Sequence, residues 1–241
     1  MSRLRKPRFF WVYPLALWLF LVARTTEPSL RLGVILVLLG ETLRLWANGY
    51  VGHLKVNLTG NGRNEPKIGQ LITGGPYAYV RHPLYVGTVL IGLGFCTAAN
   101  NPLLLVGAAV FFLAVYPPKA LQEELILSKE CGEAYQAYER AVPRWVPSVR
   151  RYAQPHGQWS WEGIWASQEL KTLAWVVVGL IALYFREEVW QEHQFFTSKR
   201  WLKHTVLAAL FVLLVVGDGV FALVKRTRDR AGVSHTRAGR K

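Results

Sequence analysis

The chain has 241 residues, of which 51% are hydrophobic, and 29 Lys and Arg against 15 Asp and Glu give a formal net charge of +14. This hydrophobic fraction also occurs in soluble domains, so the clustering of the apolar residues is the informative feature. The charge does not indicate nucleic-acid binding, because most Lys and Arg lie in alternate segments between apolar blocks, as the positive-inside rule describes.

Six apolar blocks follow one another along the chain and predict six membrane-spanning helices. A spanning helix needs about 20 apolar residues, and the shorter blocks approach that length when flanking Trp, Tyr, Lys and Arg are counted. The blocks are residues 9–23, 30–43, 84–99, 102–116, 172–185 and 205–224. We therefore expect an all-α, multi-span integral membrane bundle with both termini cytoplasmic.

The segment before the third block is polar and predicts a site on the cytoplasmic side. Residues 57–76 are dense in Gly, Asn and Pro and predict a loop. Pro83 suits the first turn of a helix, so His82 is expected at the N-cap, where free N–H groups can receive an anion. Arg81, His82 and Tyr85 then form a polar rim at the mouth of a span. A simple interfacial belt of Arg and Tyr is an equal alternative.

A second polar cluster follows the fourth block, in residues 119–147. Pro117-Pro118 is expected to end or kink the preceding helix. Glu123 and Glu124 differ by about 100° around a helix and could border one cleft, although adjacent glutamates more often form a solvated face. Tyr135 and Tyr138 could line the same cleft or pack at the interface. The two cysteines, Cys96 and Cys131, offer neither a disulfide framework nor a set of metal ligands.

Taken in order, "GPYAYVRHPLYVG", "EE" and "GEAYQAYERAVPRWVP" resemble the isoprenylcysteine carboxyl methyltransferase family of membrane enzymes. The family pattern is Arg-His-Pro-x-Tyr, Glu-Glu, Gly-x-x-Tyr-x-x-Tyr and a following Arg and Pro. The resemblance covers roughly residues 40–150. We accordingly expect one membrane domain over residues 1–241, with a methyltransferase-like core at 40–150 and additional spans and a basic tail at 152–241.

The resemblance implies a fold that binds S-adenosylmethionine without a Rossmann domain, in a cytoplasm-facing pocket with a lipid-facing opening for a lipophilic or lipidated acceptor. The implied cofactor-binding residues are His82, Tyr85, Glu123, Glu124, Tyr135 and Tyr138. Arg144 occupies the family's Arg position and is the first candidate to anchor an acidic acceptor, with Arg81 second. A carboxylate acceptor needs no general base, whereas a thiol, amine or hydroxyl would need one from His82 or a glutamate.

Two other functions remain open at this stage. Sterol reductases of membranes share an Arg-His-Pro-x-Tyr-like motif but use NADPH, and their second motif differs from "KECGEAYQAY". A non-catalytic lipid-binding or scaffold protein is the other alternative. Polar residues within spans add further candidates: Asp218 is either functional or structural. Glu41 and Arg44 lie three residues apart and are expected to pair with each other on one helix face, with contact of Arg44 to the cofactor loop as the alternative.

Overall fold

The computed structural model describes residues 19, 21–51, 71–167 and 169–190, and these residues form helices and loops without a strand. The elements are α1 (Glu27–Val51), a 3₁₀ turn (Gly75–Ala78), α2 (Pro83–Ala98), α3 (Pro102–Ala141), α4 (Trp161–Ser167) and α5 (Glu169–Trp190). The predicted all-α class is confirmed for this part of the chain.

Four of the six predicted spans fall on these helices, namely the blocks in α1, α2, α3 and α5. Among the described residues, α3 is the one helix long and apolar enough to cross a membrane, and α2 is a shorter apolar helix. The block at 205–224, with Asp218, lies outside the described residues, as does most of the block at 9–23. The number of spans therefore stays a prediction.

The chain divides into two compact units, Met1–Leu173 and Ala174–Lys241. The first unit contains α1 to α4 and the start of α5, and every contact described below lies within it. A single membrane domain over residues 1–241 stays a prediction.

Helices α1 and α2 approach each other closely because glycines line their contact. A Cβ atom on Gly40 would lie 2.6 Å from the carbonyl oxygen of Gly87, and one on Gly33 would lie 2.6 Å from that of Gly94. Small residues allow such close backbone contact between helices in membranes. The approach also places the stem of Arg44 on Gly87, where an added Cβ would lie 2.6 Å from its Cγ.

Helix α3 is continuous through the two prolines that the sequence suggested as its end. Asn101 caps its start by accepting hydrogen bonds from the backbone N–H groups of Leu103 and Leu104 at 3.1 and 3.3 Å. Pro117 and Pro118 lie inside the helix, and the non-helical residue is Gly132, with φ 52° and ψ −127°. This backbone conformation is one that glycine adopts readily and other residues rarely do.

The break at Gly132 folds the end of α3 back toward its middle. Glu124 and Glu139 both lie against the same nitrogen of Arg81, at 3.1 and 2.7 Å. In a straight helix, residues fifteen apart are separated by roughly 22 Å, so one arginine nitrogen could not reach both. The two parts of α3 therefore form two walls of one polar cluster.

Candidate active site

The polar cluster is centred on the carboxylate of Glu124, which is 6% exposed. Arg144 binds it with two hydrogen bonds, Nε to Oε1 at 2.9 Å and Nη2 to Oε2 at 2.6 Å. His82 Nε2 lies 2.9 Å from Oε1, and Arg81 Nη1 lies 3.1 Å from the same oxygen. One carboxylate is thus shared by three basic side chains.

Glu124 lies beyond the apolar half of α3 (residues 102–116), and its charge is held by these neighbours. Burial would raise the pKa of its carboxyl, but hydrogen bonds from His82 and Arg144 and the charge of Arg81 outweigh that effect and lower the pKa to about 2. Glu124 is therefore ionised throughout the physiological range.

Glu123 has a different environment although it is the next residue. It accepts a hydrogen bond from the hydroxyl of Tyr85, and His82 Nδ1 lies 3.7 Å from its Oε2. Burial raises the pKa of Glu123, and the Tyr85 hydrogen bond opposes the rise without cancelling it. The imidazole of His82 consequently lies between two adjacent carboxyl groups whose pKa values are shifted in opposite directions.

Arg81 joins the start of α2 to the folded-back end of α3. Its Nη1 donates to Glu139 at 2.7 Å and to the hydroxyl of Tyr135 at 3.4 Å. Its Nε is buried and has no hydrogen-bond partner among the described residues. Its backbone N–H donates to the carbonyl of Pro143 at 2.9 Å. The Nε–H of this nearly buried guanidinium therefore has no partner among the described residues.

Aromatic rings border the cluster on the side of α2. The ring of His82 stacks on Tyr85 with centroids 5.5 Å apart and is tilted against Trp145 at 5.6 Å. Lys119 Nζ lies 5.3 Å from the Tyr85 ring centroid. These rings provide faces that attract a cation.

The structure links seven of the eight predicted site residues through hydrogen bonds and ion pairs. The eighth, Tyr138, packs its ring against Tyr135 with centroids 6.1 Å apart. Tyr138 donates its hydroxyl to the carbonyl oxygen of Tyr77 at 2.7 Å and is 3% exposed, so it fastens the 3₁₀ turn. The start of α2 is as predicted, with His82 at the N-cap and Pro83 in the first turn. The backbone N–H of Tyr85 already bonds the His82 carbonyl, which leaves fewer free donors at this helix end.

Sequence reasoning missed Glu139 and Trp145 in the cluster. Glu139 lies four residues after Tyr135, which places the two on one helical face and could have indicated it. The predicted pairing of Glu41 with Arg44 is wrong. Arg44 pairs with Glu169, and both carboxyl oxygens of Glu41 are buried without a hydrogen-bond partner among the described residues.

The family model for phospholipid methyltransferases matches residues 28–134. Among similar proteins, the protein-S-isoprenylcysteine O-methyltransferase of Xenopus laevis is 31% identical over 138 residues, which are 54% of this chain and 47% of the relative. The enzyme of that name from Schizosaccharomyces pombe is 32% identical over 114 residues, 46% of each protein.

A differently named relative is the cobalt-zinc-cadmium resistance protein CzcN of Cupriavidus metallidurans, 30% identical over 132 residues, 55% of this chain and 54% of the relative. The chain spans about half the length of the curated relatives it matches. No solved structure matches it. The resemblance predicted from the ordered motifs is confirmed: the chain is similar to the isoprenylcysteine methyltransferases.

Proposed function

We propose that this chain is a multi-span membrane methyltransferase that uses S-adenosylmethionine to methylate a lipophilic acceptor. The observation that carries the proposal is the Glu124 cluster. It joins side chains from the start of α2, both parts of α3 and the segment after α3 in one buried polar site. The site begins where the apolar half of α3 ends, as expected for chemistry at a membrane surface.

The residues present fit the groups that S-adenosylmethionine carries. Its methionine end bears an ammonium and a carboxylate, and its sulfur is a cation. The carboxyls of Glu123 and Glu124 suit the ammonium, the unpartnered Nε of Arg81 suits the carboxylate, and the rings of Tyr85 and Trp145 suit the cationic sulfur. When bound, this cofactor supplies the electrophilic methyl group.

The protein's own part in the reaction is then to align the acceptor and exclude water. Arg144 donates hydrogen bonds from Nε and Nη2 to the Glu124 carboxylate, and these two bonds fix the plane of its guanidinium. The third nitrogen, Nη1, takes no part in this two-pronged contact. Its side chain is 31% exposed, whereas that of Glu124 is 7% exposed. We assign Arg144 as the anchor for an acceptor carboxylate, because a fixed planar cation sets both the position and the direction of such a group.

A lipophilic acceptor fits the surroundings of the site. Leu121 and Leu125 are 46% and 63% exposed and flank Glu123 and Glu124 on α3. The Xenopus laevis and Schizosaccharomyces pombe relatives act, by their names, on isoprenylcysteine, which joins an apolar chain to a free carboxylate. We propose a substrate of this class, a lipidated or small prenylated carboxylate, approached from the bilayer. We propose further that the site and both termini are cytoplasmic.

The proposal is tested with the full chain in detergent by calorimetric titration with S-adenosylmethionine, its demethylated product and, separately, NADPH. We expect saturable binding of the first two ligands and no heat with NADPH. Binding of NADPH alone would favour the reductase alternative, and binding of neither cofactor would overturn the proposal. Transfer of a labelled methyl group to a small S-farnesylcysteine carboxylate then tests the acceptor class.

A further inference from the structure

A second buried ion pair lies away from the Glu124 cluster, between α1 and the first residue of α5. Arg44 Nε lies 2.6 Å from Glu169 Oε1, and Arg44 Nη2 lies 2.9 Å from Glu169 Oε2. Glu169 is 1% exposed, and the Arg44 side chain is 16% exposed. Glu169 follows the residues matched by the family model, which end at 134. A part of the chain outside the methyltransferase-like core thus contributes a charge to a residue inside it.

Arg44 in turn holds the beginning of α2. Its Nη1 donates to Thr88 Oγ1 at 2.5 Å, and Thr88 donates to the carbonyl of Leu84 at 2.8 Å. Its stem lies against Gly87. These contacts fall on the turn of α2 that follows directly after Tyr85, the residue whose hydroxyl bonds Glu123.

A third residue, Tyr116 of α3, connects the same two places. Its ring lies 4.8 Å from that of Tyr85, and its hydroxyl interacts with Thr88. A movement of Arg44 away from Thr88 would therefore disturb two of the neighbours of Tyr85, the α2 turn and the Tyr116 ring.

The charges around Arg44 explain why Glu169 is needed to keep it in place. Glu41, which is 2% exposed, also interacts electrostatically with Arg44 and Glu169, but its carboxyl oxygens make no hydrogen bond within the part of the chain that the structure describes. A guanidinium among apolar helices must keep a partner. If Glu169 loses its charge, Glu41, three residues earlier on α1, is the carboxyl that still interacts electrostatically with Arg44, and a shift of Arg44 toward it would weaken the hydrogen bond to Thr88.

We infer that Glu169 is a positioning residue for the cofactor site: it holds Arg44, and Arg44 fixes the α2 turn that carries Tyr85. This inference rests on the proposed function, because the site that it stabilises is the proposed S-adenosylmethionine site. It gives the segment after residue 152 a defined role in a site whose motifs all precede that segment.

The test is calorimetric titration of the full chain in detergent with S-adenosylmethionine, comparing wild type with Glu169→Gln and Thr88→Val. We expect about tenfold weaker affinity in each variant, the effect of losing roughly one hydrogen bond. The double variant is expected to bind no more than about twofold more weakly than either single variant, because both changes interrupt one chain of contacts. If the affinity losses of the two single variants add up in the double variant, Glu169 does not act on the cofactor site through Thr88.

Glu41→Gln is the matched control, a buried carboxyl beside Arg44 that holds no side chain in place, and we expect its affinity within about twofold of wild type. Titration also separates positioning from stability. A purely structural role would lower the number of binding sites per protein and leave the affinity of the folded fraction unchanged, and that result in Glu169→Gln overturns the inference.

Should Glu169→Gln not fold, unchanged affinity in Thr88→Val is sufficient to overturn the inference. Absence of binding in wild type would instead refute the proposed function, so the two failures are distinguishable.

Discussion

The two buried charge clusters have opposite compositions. Around Glu124 one carboxylate is shared by three basic side chains, whereas around Arg44 one guanidinium has two carboxyls nearby and bonds only one of them. The first cluster keeps unused donors, including the buried Nε of Arg81. The second commits all the donors described above to protein atoms. The difference supports our proposal that the first cluster receives a ligand and our inference that the second holds the start of α2 in place.

The largest expected effect is that of removing the centre of the first cluster with Glu124→Gln. The variant keeps the volume but leaves the buried guanidinium of Arg81 and the fork of Arg144 without their shared counter-charge. We expect a loss of S-adenosylmethionine affinity of at least about a hundredfold and a fall in the free energy of unfolding of about 3 kcal/mol. Calorimetry and denaturant unfolding in detergent measure the two quantities.

Glu130→Gln is the matched control for this experiment, because Glu130 is an exposed glutamate on the same helix. It should leave both quantities unchanged. If Glu124→Gln binds S-adenosylmethionine with wild-type affinity, the Glu124 cluster has a structural role like the Arg44 cluster. The proposed difference in function between the two clusters would then be wrong.

A smaller effect is expected from Arg144→Lys, which keeps the charge and removes the two-pronged geometry. A misaligned acceptor can reduce turnover on the order of a hundredfold, while cofactor affinity should fall by less than about tenfold. The measurement pairs methyl transfer to a small S-farnesylcysteine carboxylate with cofactor titration. Arg140→Lys, at an exposed arginine that bonds only the Gln136 carbonyl among the described contacts, is the control. Wild-type turnover in Arg144→Lys would move the anchoring role to Arg81.

The last prediction concerns how the stabilisation contributed by Glu124 changes with pH, and it expects almost no change near neutral pH. Its pKa falls from an ordinary 4.5 to about 2 in the folded protein, so the unfolded chain binds the proton more tightly. The stabilisation is complete above pH 4.5 and is lost as the pH falls toward 2. The difference in unfolding free energy between wild type and Glu124→Gln should thus be constant from pH 7 to 5 and shrink below 4.5. A difference that already shrinks between pH 7 and 6 would contradict the ionised state assigned to Glu124.

The sequence predicted the first cluster well because its members belong to short ordered motifs. Arg81, His82 and Tyr85 lie within one helix start, and Pro83 determines where that helix begins. The second cluster was predicted incorrectly, because local spacing favoured a Glu41–Arg44 pair. A carboxylate 125 residues later in the chain binds Arg44 instead, with both oxygens. A two-pronged tertiary contact overrides an i, i+3 preference, and nothing in the local pattern reveals it.

The course of α3 could not be predicted from its local sequence either. Two consecutive prolines are the strongest helix-breaking signal in the chain, yet the helix continues through them. Prolines are tolerated in membrane helices when neighbouring groups satisfy the freed carbonyls. The residue that changes the chain direction is Gly132, which has a positive φ, and Arg81 contacts glutamates on both sides of this break.

The fold-back at Gly132 also affects the order in which the site is assembled during synthesis. Glu124 and Glu139 leave the ribosome within roughly one to three seconds of each other at common elongation rates, and Arg81 is already present by then. The Glu124 cluster can therefore close while the rest of the chain is still being translated. Glu169 emerges several seconds after Arg81, when the neighbours of Arg44 in α2 have already been synthesised. The ion pair that holds the site in register is the last of these contacts to become available.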